Sequence, residues 1–296
     1  MSELMLINVV DPEETRVAIV EEGKLEELYL ERTNKERIVG NIYKGTVTNI
    51  EPNLEAAFIE FGYERHGFLH VSDVRKELGK GNRGSNNSIK GLLKQGQHIL
   101  IQVTKEGLGD KGPALTTYLS LPGRCLVLMP RTSRRGVSRK IANQQERNRL
   151  RNLIKSLDTD GMGLIARTAS EGKTKGELER DLDYLRKLWH VVETRAKKSD
   201  SPALIYHESD QVIRVIRDVF TESIDRIVVD SQEVYDRVKE FLRAVMPQHV
   251  RKVKMHKDRE PMFHKYGVES QIDAMYEREV GLPSGGSIIL EQTEAL

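Results

Sequence analysis

Phe58 and Phe68 stand in the runs Ala56-Ala57-Phe58-Ile59-Glu60-Phe61-Gly62 and His66-Gly67-Phe68-Leu69-His70-Val71-Ser72-Asp73. Each run alternates over a few residues and predicts a short β-strand. Rings on neighbouring strands can share a face, and such a pair is a platform for the bases of single-stranded RNA. Stacking contributes roughly 1–3 kcal/mol per base. Lys44, in Gly40-Asn41-Ile42-Tyr43-Lys44-Gly45-Thr46-Val47, and Lys105 and Lys111 further on would supply ammonium groups to track the phosphates. The bland alternative is a set of core phenylalanines. The surrounding lysines and glycines favour RNA stacking for at least two of the rings.

Other chemistry is sparser. Leu121 to Lys155 carries ten basic side chains against Glu146 alone, whereas Met1 to Ile38 carries ten acidic and five basic ones. A polyanion would therefore meet a basic region of a chain whose net charge is only +2. The alternative is a solvated charged face. Arg167-Thr168 closes a short apolar run and, taken alone, reads as an ordinary surface pair. Asp225 and Asp230 flank a predicted strand, and Asp210 and Asp218 lie on a predicted helix. A metal-dependent nuclease site would need three or four such acids to converge. Asp230 also reads as a helix cap paired with Glu233. His66 and His70 are four apart on a strand and turn, which does not bring them together as a helix would. The single Cys125 excludes a disulfide framework and a multi-cysteine zinc site. No apolar run spans a bilayer and no secretory leader is evident, so the expectation is a soluble protein of the cytoplasm.

The elements that must position these groups follow from periodicity. Met5 to Val10, Arg16 to Val20 and Leu25 to Leu30 read as a three-stranded meander with Glu22-Gly23-Lys24 as a turn. Asn41 to Ile50, Ala56 to Phe61, His66 to Val71, His98 to Thr104 and Ala114 to Leu119 read as five strands of a small barrel, interrupted by a loop at Gly79 to Ser88. Leu150, Leu153, Ile154 and Leu157 share a helix face, and a strand follows at Gly163 to Thr168. Leu178, Leu182, Leu185, Trp189 and Val192 form a helical stripe that belongs in a core. Asp210 to Phe220, Ile224 to Val229, the helix ending at Ala244, Val250 to Met255 and Val268 to Arg278 give a second α/β segment. The three N-terminal strands lack helices and this segment supplies them, so one discontinuous α/β domain is expected with the rest inserted into it.

Gly-Phe-Leu-His-Val-Ser-Asp at 67–73 looks like the S1 RNA-binding signature, an OB-fold variant. The longer strings Asn41-Ile42-Tyr43-Lys44-Gly45 and Ile50 to Gly62, then Lys111 to Thr117, Val127 to Pro130, Gly163 to Ala169 and Leu282 to Ile288, resemble the ribonuclease E/G family over essentially the whole chain. That resemblance implies an α+β multidomain fold: an RNase H-like α/β domain (1–38 with 211–280) interrupted by an S1 OB-fold β-barrel (39–122) and an α/β 5′-sensor domain (123–210). Residues 281–296 would begin a DNase I-like catalytic domain. It implies an endoribonuclease that cuts single-stranded RNA, often A/U-rich, in mRNA decay and in rRNA and tRNA processing. RNA would be held at Phe58, Phe61, Phe68, Lys44, Lys105 and Lys111.

The same resemblance implies a 5′-monophosphate sensor at Arg167 and Thr168, with backbone contributions from Gly123 and Val127. An arginine fork, a hydroxyl and closely approaching N–H groups suit a phosphate. It further implies Mg²⁺ held by two aspartates lying beyond Leu296, and a homo-oligomer of the full-length protein. On that expectation this chain binds RNA and does not cut it. The alternative is a non-catalytic S1-type RNA-binding protein.

Overall fold

The computed structural model describes residues 3–11, 13–32, 38–78, 88–109, 111–208, 211–282 and 284–291. Nearly all of the predicted loop at Gly79 to Ser88 lies outside them, as does Asp210. The chain divides into two compact units, Met1–Lys35 with Gln211–Leu296, and Glu36–Asp210.

In chain order the elements are β1 (Glu3–Asn8), β2 (Glu14–Glu21), β3 (Lys24–Arg32), β4 (Ile42–Glu51), β5 (Ala56–Glu60), β6 (Gly67–His70), α1 (Ile89–Leu92), β7 (His98–Lys105) and β8 (Ala114–Thr116). Then come β9 (Leu121–Pro122), β10 (Leu126–Met129), β11 (Arg135–Val137), α2 (Gln144–Ser156), β12 (Gly163–Ala166), α3 (Lys175–Lys198) and β13 (Ala203–Tyr206). The last are α4 (Gln211–Val219), β14 (Ile224–Val229), α5 (Gln232–Val245), β15 (Val253–Met255), α6 (Met262–Lys265), α7 (Glu269–Met275), β16 (Glu279–Gly281) and β17 (Ser287–Ile289).

The first unit holds a sheet of order β15-β14-β1-β2-β3. β1 runs parallel to β14 and antiparallel to β2, so the N-terminal meander and the C-terminal α/β segment form one sheet. Leu4, Met5, Leu6 and Ile7 are all buried, the mark of a central strand covered on both faces. Leu4 and Leu6 pack with Met262, Phe263, Val268 and Ile272 of the α6–α7 region. α4 lies against β2, and α5 against β14 and β15. Asp230 is not the cap of α5. Ser231 holds that position without a side-chain bond, and the Asp230 carboxylate instead accepts from Asn8 Nδ2 at 2.5 Å and Val9 N at 3.0 Å. It ties the ends of two parallel strands together.

In the second unit β4-β5-β6-β8-β7 closes on itself through β4–β7, giving a five-stranded barrel. Tyr43, Val47, Ala57, Ile59, Phe61, Leu69, Ile101, Val103 and Leu115 fill it. Gly45 and Gly67 are needed there. A Cβ at Gly67 would meet Leu115 Cδ1 at 2.2 Å, and one at Gly45 would meet Ile59 Cγ2 at 2.6 Å. A second sheet, β11-β12-β10-β9, packs with α2 and α3. Its core contains the predicted stripe Leu178, Leu182, Leu185, Trp189 and Val192, and runs on into Ile42 and Leu119 of the barrel. α3 begins at a reciprocal capping box between Thr174 and Glu177. β13 then returns to pair with β4. No helix is long and apolar enough to cross a membrane among the described residues.

Candidate nucleic-acid interface

Strand register decides which barrel side chains can act together. Phe58 is the cross-strand partner of Phe68, Phe68 pairs with Ala114, and Ala114 with Lys105. Asn49 lies beside Phe58 on the other side. One row therefore crosses the barrel, with two aromatic rings at its centre and an exposed ammonium at its end. The two rings are partly exposed, 6.0 Å apart and at 70° to each other. Inward neighbours Ala57, Ile59 and Leu69 are wholly buried, so period-2 alternation holds the rings outward. Polar groups lie beside Phe58, among them Thr48, which sequence reasoning missed, and His66, which it had read as no metal ligand. Thr48 Oγ1 donates to Phe58 O at 3.0 Å, His66 Nδ1 lies 3.3 Å from Thr48 Oγ1, and His66 Nε2 lies 3.7 Å from Glu60 Oε2.

Lys111 is exposed on the tight turn between β7 and β8. That turn needs its glycines. A Cβ at Gly107 would sit 2.2 Å from Lys111 O, and one at Gly112 2.0 Å from His66 O. Pro113 O accepts from Phe68 N at 2.8 Å, so the loop is fastened beside the aromatic row.

Two of the expected RNA contacts are placed elsewhere. Phe61 is 1% exposed, edge-on to Tyr43 at 4.9 Å and stacked against Tyr63 at 5.8 Å. It shares strand parity with Ala57 and Ile59, which point inward, and its ring is core. The exposed aromatic there is Tyr63. Lys44 Nζ donates to Ala196 O at 3.1 Å and Ser199 O at 2.8 Å. It neutralises the carbonyl-rich end of α3, where a cation is favoured, and is committed to that role.

The residues of the expected phosphate site lie around a buried carboxylate that sequence reasoning missed. Arg167 N donates to Cys125 O at 2.8 Å, and Arg167 Nη1 to Gly123 O at 2.6 Å. Thr168, exposed, opens the next 3-10 turn, while Ser170 Oγ donates to Cys125 O at 2.6 Å. Val127 lies on β10, in register with Ile165 of β12. Beneath the Gly123–Leu126 turn sits Asp181 of α3, 1% exposed. Its carboxylate accepts from Arg124 N at 3.1 Å and from Cys125 N and Leu126 N at 2.8 Å each. Burial pushes this carboxyl above its ordinary value, and the three N–H groups and Arg167 pull against that. The Cys125 thiol, buried beside Asp181, is pushed up to about 12. Gly123 is obligatory, since a Cβ would sit 2.6 Å from Asp181 Oδ2.

The carboxylates do not fit a magnesium site. Asp230 is engaged by Asn8 and Val9, Asp218 pairs with Arg217 at 3.2 Å, and Asp225 is exposed. Among the described residues no three His, Cys, Asp or Glu converge as a metal would require.

Two family models match parts of the chain. A model described as Ribonuclease E/G family matches residues 120–296, and one described as S1 RNA binding domain matches 36–117. Ribonuclease E of Haemophilus influenzae is 43% identical over 99% of this chain, and that of Escherichia coli 41% identical over 99%. Ribonuclease G of Haemophilus influenzae is 40% identical over 100% of this chain. The chain spans 32%, 28% and 61% of the lengths of these three relatives.

Proposed function

Because the chain belongs to the ribonuclease E/G family, we propose that it is the RNA-holding part of an endoribonuclease that cuts single-stranded RNA, with a preference for 5′-monophosphorylated ends. In this reading the barrel is the S1 domain and the β9–β12 module is the 5′-sensor. The five-stranded sheet of the first unit is an RNase H-like domain, and residues 281–296 begin a DNase I-like catalytic domain. The magnesium-binding aspartates lie outside this chain, and cytoplasmic mRNA decay and rRNA and tRNA processing are the roles of the whole protein. Homo-oligomers belong to that whole protein too.

The observation that carries the reading is the row Phe58–Phe68–Ala114–Lys105. Two outward rings stack bases of any sequence, and Lys105 with Lys111 meets the backbone that links them. At the second locus a guanidinium, the Thr168 hydroxyl and the Gly123 turn suit a terminal phosphate.

The test is fluorescence anisotropy of this chain with a short A/U-rich RNA carrying either a 5′-monophosphate or a 5′-hydroxyl. Phe58→Ala and Phe68→Ala should each weaken both RNAs by about 5- to 150-fold, the equivalent of one lost stacking partner. Arg167→Ala should abolish the advantage of the monophosphate alone. Equal binding of the two RNAs by the unaltered chain would remove the sensor and leave a non-catalytic S1-type reading. No binding would refute both.

A further inference from the structure

Tyr63 is the exposed ring that the Phe58–Phe68 row leaves out. It stands in the connection between β5 and β6, five residues after Phe58 and five before Phe68. At 42% it is the most exposed aromatic of the second unit among the described residues. A single exposed apolar side chain is common and by itself calls for no partner. Tyr63 departs from that case in how it is held. Its ring lies 5.8 Å from the ring of Phe61 at 15°, and Phe61 is buried and gripped edge-on by Tyr43 at 4.9 Å. One face of the tyrosine therefore rests on the barrel core, and the exposed surface lies on the other side.

The backbone beneath the ring is fixed as well. Gly62 takes φ 84° and donates its N–H to Glu60 Oε1 at 2.8 Å. The other oxygen of that carboxylate lies 3.7 Å from His66 Nε2, His66 Nδ1 lies 3.3 Å from Thr48 Oγ1, and Thr48 Oγ1 donates to Phe58 O at 3.0 Å. Arg65 Nη1 donates to Gly109 O, in the loop that carries Lys111. Direct contacts thus run without a break from the Tyr63 turn to Phe58, and from the same turn to the Lys111 loop. Five residues reach at most about 18 Å, and stacked nucleotides advance about 3.4 Å each along a strand. About five nucleotides cover that interval, within the roughly 4–16 that one barrel of this class takes. A ring fixed before binding loses little freedom when a base settles on it.

We propose that Tyr63 is a third stacking platform, which takes a base of the same RNA strand beyond the Phe58–Phe68 pair. This rests on the RNA-binding reading above. The probe is a 5′-hydroxyl A/U-rich oligoribonucleotide of about ten nucleotides, and its affinity for the whole chain is read by fluorescence anisotropy. Tyr63→Phe keeps the ring and should bind as the unaltered chain does. Tyr63→Leu keeps an apolar cover over Phe61 but removes the π-face. It should weaken binding by about 5- to 150-fold at an unchanged melting temperature. Full affinity in Tyr63→Leu overturns the platform, because the ring would then be only a cover. An equal loss in Tyr63→Phe overturns it too, since the hydroxyl would then be the contact. If Tyr63→Leu melts lower, the unaltered chain decides, photo-cross-linked to the same oligonucleotide carrying 4-thiouridine. An adduct on Tyr63 supports the platform, and adducts on Phe58 or Phe68 without one on Tyr63 overturn it. Failure of the reading beneath has a different signature. If the unaltered chain binds no RNA, the platform falls with that reading. If Phe58→Ala and Phe68→Ala leave affinity unchanged while Tyr63→Leu weakens it, the row fails and the platform stands.

Discussion

Asp181→Asn is the sharpest perturbation of the Gly123–Leu126 turn, because it changes hydrogen-bonding capacity without changing shape. The carboxylate accepts three backbone N–H groups, one on Oδ1 and two on Oδ2. Asparagine offers one carbonyl. Placed at Oδ2 it keeps two bonds, now neutral, and its NH₂ then faces Arg124 N donor to donor. Hydrogen bonds to charged groups are worth about 1.5–3 kcal/mol and neutral ones about 0.5–1.5, so the two retained bonds lose roughly 1 kcal/mol each. The orphaned N–H adds about 1–3 kcal/mol. Against this, the variant no longer buries a charge, which returns part of the sum. The net expectation is about 2 kcal/mol of destabilisation, a fall in Tm of roughly 4–8 °C for a unit of this size. Differential scanning calorimetry measures it. The same variant should lose discrimination between 5′-monophosphate and 5′-hydroxyl RNA while retaining S1-type binding, because Arg167 sits on the same turn through Gly123 O and Cys125 O. A Tm within about 1 °C of the unaltered chain, with discrimination intact, would refute the reasoning. The turn would then be held well enough without the carboxylate, by Gly123 N to Leu126 O, Ser170 Oγ to Cys125 O and the two Arg167 bonds.

Three further outcomes follow from the same contacts. Gly123→Ala forces its methyl against Asp181 Oδ2 and should destabilise by about 1–3 kcal/mol, read as a lower denaturant midpoint with an unchanged m-value. Glu146, held down to about 2 chiefly by Arg149 and then by Gly172 N, contributes stability that is complete above about 4.5 and is lost as pH falls towards 2. Thermal melts from pH 5.5 to 2.5 should therefore decline less steeply for Glu146→Gln, with a difference under about 1 kcal/mol because solvent screens the pair. Cys125 should resist iodoacetamide at pH 8 in the folded chain and react promptly in guanidinium, since a thiol near 12 in place of 9.0 carries about a thousandfold less thiolate. Equal labelling of folded and unfolded protein would contradict that burial.

The barrel was legible because its apolar strand segments, β4 and β7 of ten and eight residues above all, are bounded by turn residues, and parity along β5 also contained the answer on Phe61. Residues 57, 59 and 61 share a parity, and Ala57 and Ile59 are plainly inward-facing types. The error lay in weighting an aromatic ahead of its register. Lys44 could not have been placed, since the carbonyls it serves are at Ala196 and Ser199, more than 150 residues away. The short strands β9, β11 and β13 have two to four residues each and exist only through their partners, so no period announces them. Asp181 did leave a signal. It lies three residues after Leu178 and beside Leu182, an acid on the buried stripe of an amphipathic helix, where a carboxylate needs donors brought to it. Its donors are backbone groups, and these have no signature in sequence.

The placement of charge in the second unit favours reading a strand by its backbone over reading it by base identity. Phe58 and Phe68 offer ring faces that every base can meet. Many of the arginines between Leu121 and Lys155 are spent inside the fold. Arg135 donates to Ile154 O, Lys155 O and Thr159 Oγ1, and Arg147 donates to Ser138 O and Ile141 O. The strongly basic segment is therefore a poor measure of the binding surface. A cation such as Arg75, whose buried Nε has no acceptor among the described residues, is a better one, because a guanidinium left unpaired there is costly until an anion meets it.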